Sequence, residues 1–261
     1  MSNYKRNHRL SLKSISLLLC AVLFAVLFTG CSTKIEQVID NLFPPQSFSE
    51  ENPAPLNETL PETALIDMAA VPQFPELPNG CEITSLTSVL NYYGYGVDKM
   101  DMANQWLPCS DGFYGANPET EYMGYPDYDG WYCYEQPIIV AANGYLRSVD
   151  SPLRAYSETG AASETLKQLL ADGYPIIVWS TIDLQPPLPS TYYAWYIDGL
   201  LFTPLENTHC LVLKGYDDIR DVFLFADPLL LYDEIEQSLF MSLFESMGSR
   251  AVILQRSLFP L

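Results

Sequence analysis

Histidine is nearly missing from this chain: of 261 residues, only His8 and His209 carry an imidazole. A histidine-rich metal centre is therefore excluded. The cysteines contain no Cys-x₂-Cys pair that would hold zinc, and Asp111, Asp127 and Asp129 do not fit a calcium-loop template. No metal and no cofactor is expected. Basic residues are also scarce, with 13 Lys and Arg against 32 Asp and Glu and a net charge of −19. So few cations cannot assemble a surface for a nucleic-acid backbone, so nucleic acid is excluded as a partner. Charge of either sign is sparse, at 17% against 48% hydrophobic residues, which rules out wholesale disorder. Internal repeats and coiled-coil or collagen patterns are absent.

What the chain does have begins at its N-terminus. Lys5, Arg6, Arg9 and Lys13 precede an uncharged apolar run from Ser14 to Phe28, the layout of an export signal. Thr29, Gly30, Cys31 and Ser32 follow, and this resembles the bacterial lipoprotein signal, in which cleavage precedes the cysteine and its thiol is acylated. Residues 1–30 read as signal peptide and Cys31 as the lipidation site, with an uncleaved apolar anchor as the alternative. Either outcome puts the chain on the extracytoplasmic face of the cell membrane. Cleavage would shift the side-chain charge from −19 to −23, since the four bases leave and no acid does. An anionic domain beside an anionic membrane needs a tether, and residues 31–70, with Pro44, Pro45, Pro53, Pro55 and Pro61, supply one. The folded domain is expected over 71–261.

Within that domain, apolar positions recur at helical spacing over residues 81–93, giving an amphipathic helix stopped by Gly94. Further helices are expected over 98–107, 135–146 and 163–170, the last capped by Ser163. Residues 108–130, rich in Gly, Pro, Tyr and Asp, read as a long surface loop, either a binding element or a flap. The rhythm then turns to strands at 174–181, 210–216, 222–226 and 251–255. A hairpin is expected around Asp198-Gly199 and a helix over 232–247. Helices first and a mainly antiparallel sheet second make an α+β fold, a helical lobe packed on the sheet.

Four residues could carry chemistry. Cys81 follows Asn79-Gly80 at a helix start, where free N–H groups and the helix dipole favour a thiolate. A buried structural cysteine is the plainer reading. His209 opens a strand that alternates in exposure, and could take the thiol proton and return it to a leaving amine. Asp227 ends the next strand, within reach of His209 across the short turn at 217–221, where a carboxylate would orient the imidazole. Asp-Pro is equally a common turn initiator. Gln73 could donate to an oxyanion beside the Cys81 N–H, with Asn79 or Gln136 as alternatives.

These residues resemble a known family. The segments VPQFPELPNGCEITSLTSVLNYYG, PIIVAANGYL, YPIIVWST and THCLVLKGYD with ADP are similar to exported relatives of the double-glycine leader peptidases, papain-like cysteine peptidases of bacteriocin processing. The resemblance runs from about Val71 to Leu254. It implies a papain-like fold with Cys81 as nucleophile, His209 as base, Asp227 as orienting acid and Gln73 in the oxyanion hole. In free-standing relatives a Glu directly precedes the catalytic His, whereas here Asn207 and Thr208 separate Glu206 from His209. Because this chain carries its own export signal and no transporter, the double-glycine substrate does not transfer.

The expected activity is thus hydrolysis of a peptide bond in a peptide or protein substrate by a Cys-His-Asp triad. The alternatives are a non-catalytic cell-surface binding domain, or a cell-wall amidase or acyl transferase with the same triad. Cys109 and Cys133 flank the aromatic loop and could form a disulfide closing it. Tyr114, Tyr122, Tyr125, Tyr128, Trp131, Tyr132 and Tyr134 crowd that loop, and could line a groove or cap the core.

Overall fold

The computed structural model describes residues 59–257. The signal segment, Cys31 and most of the expected tether lie outside the described residues. The fold runs β1 (Thr63–Leu65), α1 (Cys81–Tyr92), α2 (Lys99–Gln105), α3 (Glu135–Ser148), β2 (Leu153–Ser157), α4 (Ser163–Ala171) and β3 (Ile176–Thr181). A hairpin of β4 (Trp195–Ile197) and β5 (Leu200–Phe202) follows, then β6 (Thr208–Asp217), β7 (Val222–Ala226), β8 (Glu234–Glu236), α5 (Gln237–Ser246) and β9 (Ala251–Arg256).

Seven strands form one sheet in the order β2-β9-β3-β6-β7-β8, with β1 added to β6, and every pairing is antiparallel. The fold is α+β, as the order of elements in the sequence implied. β3 and β6 lie at its centre, which is why Ile176–Thr181 is buried throughout and why β6 does not alternate in exposure as expected. His209 through Leu213 are all buried, because β6 is covered on both edges and both faces. Gly215 marks a bulge between β6 and β7. A Cβ there would sit 2.4 Å from the Ala64 carbonyl oxygen, so glycine is what lets β1 approach.

α1 packs on β6 and is the central helix. It is not amphipathic as its spacing suggested: Cys81 through Leu90 are all buried. Most of its polar residues are admitted because they find partners, the buried Thr84 hydroxyl being the exception. Thr87 and Ser88 donate to the carbonyls of Ile83 and Thr84, Ser85 donates to Cys210 O, and Ser88 Oγ accepts the Val71 N–H.

Other boundaries also moved. Among the described residues, β1 lies before Val71 and joins the sheet beside β6. α4 has Ala162 at its N-cap and no side-chain cap, so Ser163 is its first helical residue. Asp98 does cap α2, accepting from the N–H groups of Met100 and Asp101. The helix expected over 232–247 is split, since Glu234–Glu236 pairs with β7 as β8 and Glu236 then caps α5. The β4–β5 hairpin turns at Asp198 and Gly199, both with positive φ, the conformation that favours this dipeptide.

Residues 108–134 are neither a flap nor disulfide-closed. Cys109 and Cys133 are free thiols, with Cys133 buried in the core beside Glu82 and Cys109 in a bridge to Tyr122. Hydrogen bonds hold the segment instead. Ser110 Oγ donates to Gly112 O and Tyr122 O and accepts from Gly124 N, and Trp179 Nε1 donates to Cys133 O. Its aromatics split between both expected roles. Tyr122 and Tyr132 are buried as a cap, Tyr125 and Tyr128 stack at 5.5 Å, and Trp131 reaches the cleft described next.

Candidate active site

A cleft of about 520 Å³ opens at the N-terminus of α1. Gln73, Asn79, Cys81 and His209 line it, together with the apolar Phe74, Pro78, Ile182, Leu229 and Leu231 and with Trp131, Glu206 and Thr208. Three of the four residues singled out in the sequence therefore share one cavity, and the fourth, Asp227, lies directly behind His209. Gln136 is exposed on α3 and does not line the cleft.

The approach to Cys81 is fixed by the loop before it and by the aromatic segment. Tyr122 Oη donates to Asn79 O at 2.6 Å, and Asn79 N donates to Pro126 O at 3.1 Å. Gly80 packs so closely that a Cβ would lie 2.8 Å from Leu77 Cβ and 3.2 Å from Pro126 Cβ. This holds Cys81 as the first residue of α1, where helix N–H groups lack intrahelical acceptors.

The thiol does not have the lowered pKa expected of that position. Burial pushes it well above the ordinary range, and the neighbouring Glu82 carboxylate pushes it further. Cys81 Sγ donates to Glu82 Oε2 at 3.4 Å, while Glu82 Oε1 accepts the Cys133 N–H at 3.1 Å. Glu82 is completely buried, and burial raises its carboxyl from 4.5 to about 7 against the opposing hydrogen bonds. Burial of the thiol and the Glu82 carboxylate both favour the thiol over the thiolate. Sequence reasoning missed Glu82, since an acid in a helix's first turn is usually a surface residue favoured by the dipole. The one signal was its adjacency to Cys81.

His209 and Asp227 come from adjacent antiparallel strands, β6 and β7, as their spacing implied. His209 Nε2 lies 2.8 Å from Asp227 Oδ1, and both side chains are 1% exposed. Burial opposes ionisation of Asp227, but hydrogen bonds from His209 and from backbone N–H groups outweigh it and hold the carboxyl below its usual range. Those N–H groups belong to Leu229, Leu231 and Tyr232, at 2.9, 3.2 and 3.1 Å. Asp227 is thus both the turn initiator and the imidazole's partner. His209 Nδ1 is buried and has no hydrogen-bond partner, so one ring nitrogen is committed to Asp227 and the other is unspent.

Gln73 is 2% exposed and joins the two halves of the site. Its backbone N–H donates to Pro228 O at 2.9 Å, directly after Asp227. Its Nε2 donates to Pro78 O at 2.9 Å, which orients the amide and leaves its second N–H uncommitted. Lys99, salt-bridged to Glu76, donates to the carbonyls of Pro72 and Gln73 and pins this loop to α2. Among the described residues no group of three or more His, Cys, Asp or Glu is arranged to hold a metal ion, and no helix is long and apolar enough to cross a membrane.

Residues 65–252 match the Peptidase_C39 like family. The chain is 32% identical over 188 residues to the uncharacterized protein YvpB of Bacillus subtilis strain 168, covering 70% of this chain and 71% of that protein. The crystal structure of a candidate C39-like peptidase from Bacillus anthracis superposes with a TM-score of 0.64 at 27% identity, covering 76% of this chain and 99% of that one. A double glycine motif protease from an AMS/PCAT transporter, solved with its leader peptide, aligns at 17% identity and a TM-score of 0.39 over 74% of this chain and 95% of that chain. The chain belongs to the Peptidase_C39 like family and is a cysteine peptidase, a hydrolase.

Proposed function

We propose that this C39-like cysteine peptidase hydrolyses peptide bonds outside the cytoplasm through Cys81, His209 and Asp227, with Gln73 and the Cys81 N–H as the oxyanion hole. The observation that carries the reading is the unspent Nδ1 of an imidazole anchored to Asp227, in the same cleft as the thiol.

His209 Nδ1 takes the thiol proton as Cys81 Sγ attacks the scissile carbonyl carbon, forming a C–S bond. The developing oxyanion meets the free N–H of the Gln73 amide and the backbone N–H of Cys81. Asp227 stabilises the imidazolium and fixes its orientation. Collapse breaks the C–N bond, and the Nδ1 proton goes to the departing amine. Water then gives a proton to Nδ1 and attacks the thioester. The C–S bond breaks, the acid product leaves, and the thiol regains its proton. Because burial and Glu82 favour the thiol over the thiolate, the imidazole acts as base on a thiol when substrate arrives.

The extracytoplasmic setting and lipidation at Cys31 rest on the sequence of the first 32 residues. Mass spectrometry of the mature N-terminus tests them: a diacylated Cys31 is expected, and an intact Met1 start would contradict both cleavage and lipidation. The peptidase reading is tested by incubating the full chain with a defined peptide pool in ¹⁸O-water. Cleavage with ¹⁸O in the new carboxylate, absent in Cys81→Ala and His209→Ala, is expected. Ligated products without ¹⁸O would assign the site to acyl transfer. A pool left intact would favour a binding domain.

A further inference from the structure

One wall of the cleft carries a charge that the fold leaves unused. Glu206 is the one acid lining the cleft, and no Lys or Arg lines it. Its carboxylate has no hydrogen bond or ion pair among the described residues. Neighbouring acids differ: Glu76 is paired with Lys99, Asp183 accepts from Asn207, and Asp227 is saturated by His209 and backbone N–H groups.

The backbone carrying Glu206 is held firmly. Trp131 Nε1 donates to Leu205 O at 2.9 Å, and Glu206 N donates to Leu188 O at 2.8 Å. The buried Asn207 side chain accepts the Leu188 N–H at 2.8 Å and donates to Asp183 Oδ1 and Pro186 O at 2.9 and 3.1 Å. The Trp131 ring is fixed in turn by edge contacts with Phe113 and Tyr193 at 5.5 and 5.6 Å. A carboxylate and an indole, both positioned from behind, therefore share one side of the cleft. The same cleft is lined by Phe74 and Leu231, 56% and 55% exposed, apolar surface that the fold does not cover.

We infer that the cleft selects peptides carrying arginine or lysine beside an aliphatic or aromatic residue, the cation held between the Glu206 carboxylate and the Trp131 indole and the apolar side chain against Phe74 and Leu231. A guanidinium suits this corner because it can face a carboxylate and stack on an aromatic ring at once. The net charge of −19 adds a field that draws cationic peptides and repels acidic ones. The inference names the substrate class for the peptidase proposed above and rests on that reading.

The test separates binding from turnover. Full-length Cys81→Ala protein is titrated with fluorescent peptides in which one Arg next to a Leu is replaced by citrulline, its uncharged isostere. The Arg peptide should bind about tenfold tighter, the combined scale of a partly exposed ion pair and a cation–π contact. Adding Glu206→Gln should bring the Arg-to-citrulline ratio close to one, and Glu206→Lys should invert it. The same ratio in kcat/KM is then read with the native chain. Equal binding of the two peptides, or a ratio that survives Glu206→Gln, would overturn the inference whether or not the chain cleaves them. Arg-selective binding without cleavage would uphold it and count against the peptidase reading instead.

Discussion

Glu82 offers a measurement that needs no substrate. It lies in the first turn of α1 between the Cys81 thiol and the Cys133 N–H, faced also by Cys210 and Tyr122, and burial raises its carboxyl from 4.5 to about 7. The folded protein therefore holds a proton that the unfolded chain releases at lower pH. For a group raised in this way the stabilisation is complete below pH 4.5, falls as the pH climbs, and is gone above about pH 7. At 1.36 kcal/mol per pKa unit, the interval corresponds to about 3 kcal/mol. Glu82→Gln mimics the protonated acid: its carbonyl can still accept from Cys133, and its amide N–H can face the sulfur. Urea unfolding of native and variant chains, followed by tryptophan fluorescence from pH 4.5 to 8.5, isolates this residue because the other titrations cancel in the difference. The variant should gain about 3 kcal/mol on the native protein between the two ends of that range, with the change spread over the interval. A difference that stays flat with pH would show that Glu82 ionises as an ordinary surface carboxylate, and the account of a neighbour that favours the thiol over the thiolate would go with it.

Other perturbations follow from the same geometry. Gln73→Ala should lower kcat about a hundredfold or more with a smaller change in KM, as loss of an oxyanion donor does; an effect confined to KM would move Gln73 out of that role. Gly215→Ala places a Cβ 2.4 Å from Ala64 O, and should destabilise the fold by about 1–3 kcal/mol in urea unfolding. Unchanged stability would mean that β1 contributes little to the sheet. Asp227 is held below its usual range, so its contribution to stability is full above about pH 4 and lost as the pH falls through its folded value. Asp227→Asn should flatten that acid-side slope in pH-dependent unfolding, and an identical slope would place the acid sensitivity elsewhere.

Much of the site could be read from residue order, and the reason is local. His209 and Asp227 sit on two hydrophobic runs joined by a short polar turn, so antiparallel pairing alone brings them together. Cys81 could be located because Gly80 and the periodic run after it mark a helix start. What the sequence concealed depends on partners far along the chain. Burial of all sides of α1 follows from the sheet on one flank and the segment around Tyr122 and Cys133 on the other. That enclosure reverses the pKa expected of a cysteine at a helix N-terminus. Trp131, Ile182, Leu229 and Leu231 come from three separate stretches, and only the folded chain brings them to one cleft. β1, β2 and β8 escaped because they are short, at three, five and three residues, and polar or half-buried. The Cys109–Cys133 bridge failed because Cys133 turns inward to the core.

The central claim, that the imidazole of His209 activates the thiol of Cys81, is tested most directly by alkylation kinetics. Iodoacetamide labelling of the full chain at neutral pH, resolved by peptide mapping, compares Cys81 with Cys109, which is more exposed but has its thiol pushed up to about 11 by burial and nearby acids. Labelling of Cys81 is predicted to slow in His209→Ala while that of Cys109, the internal reference, is unchanged. Labelling of Cys81 at the same rate with or without His209 would contradict it.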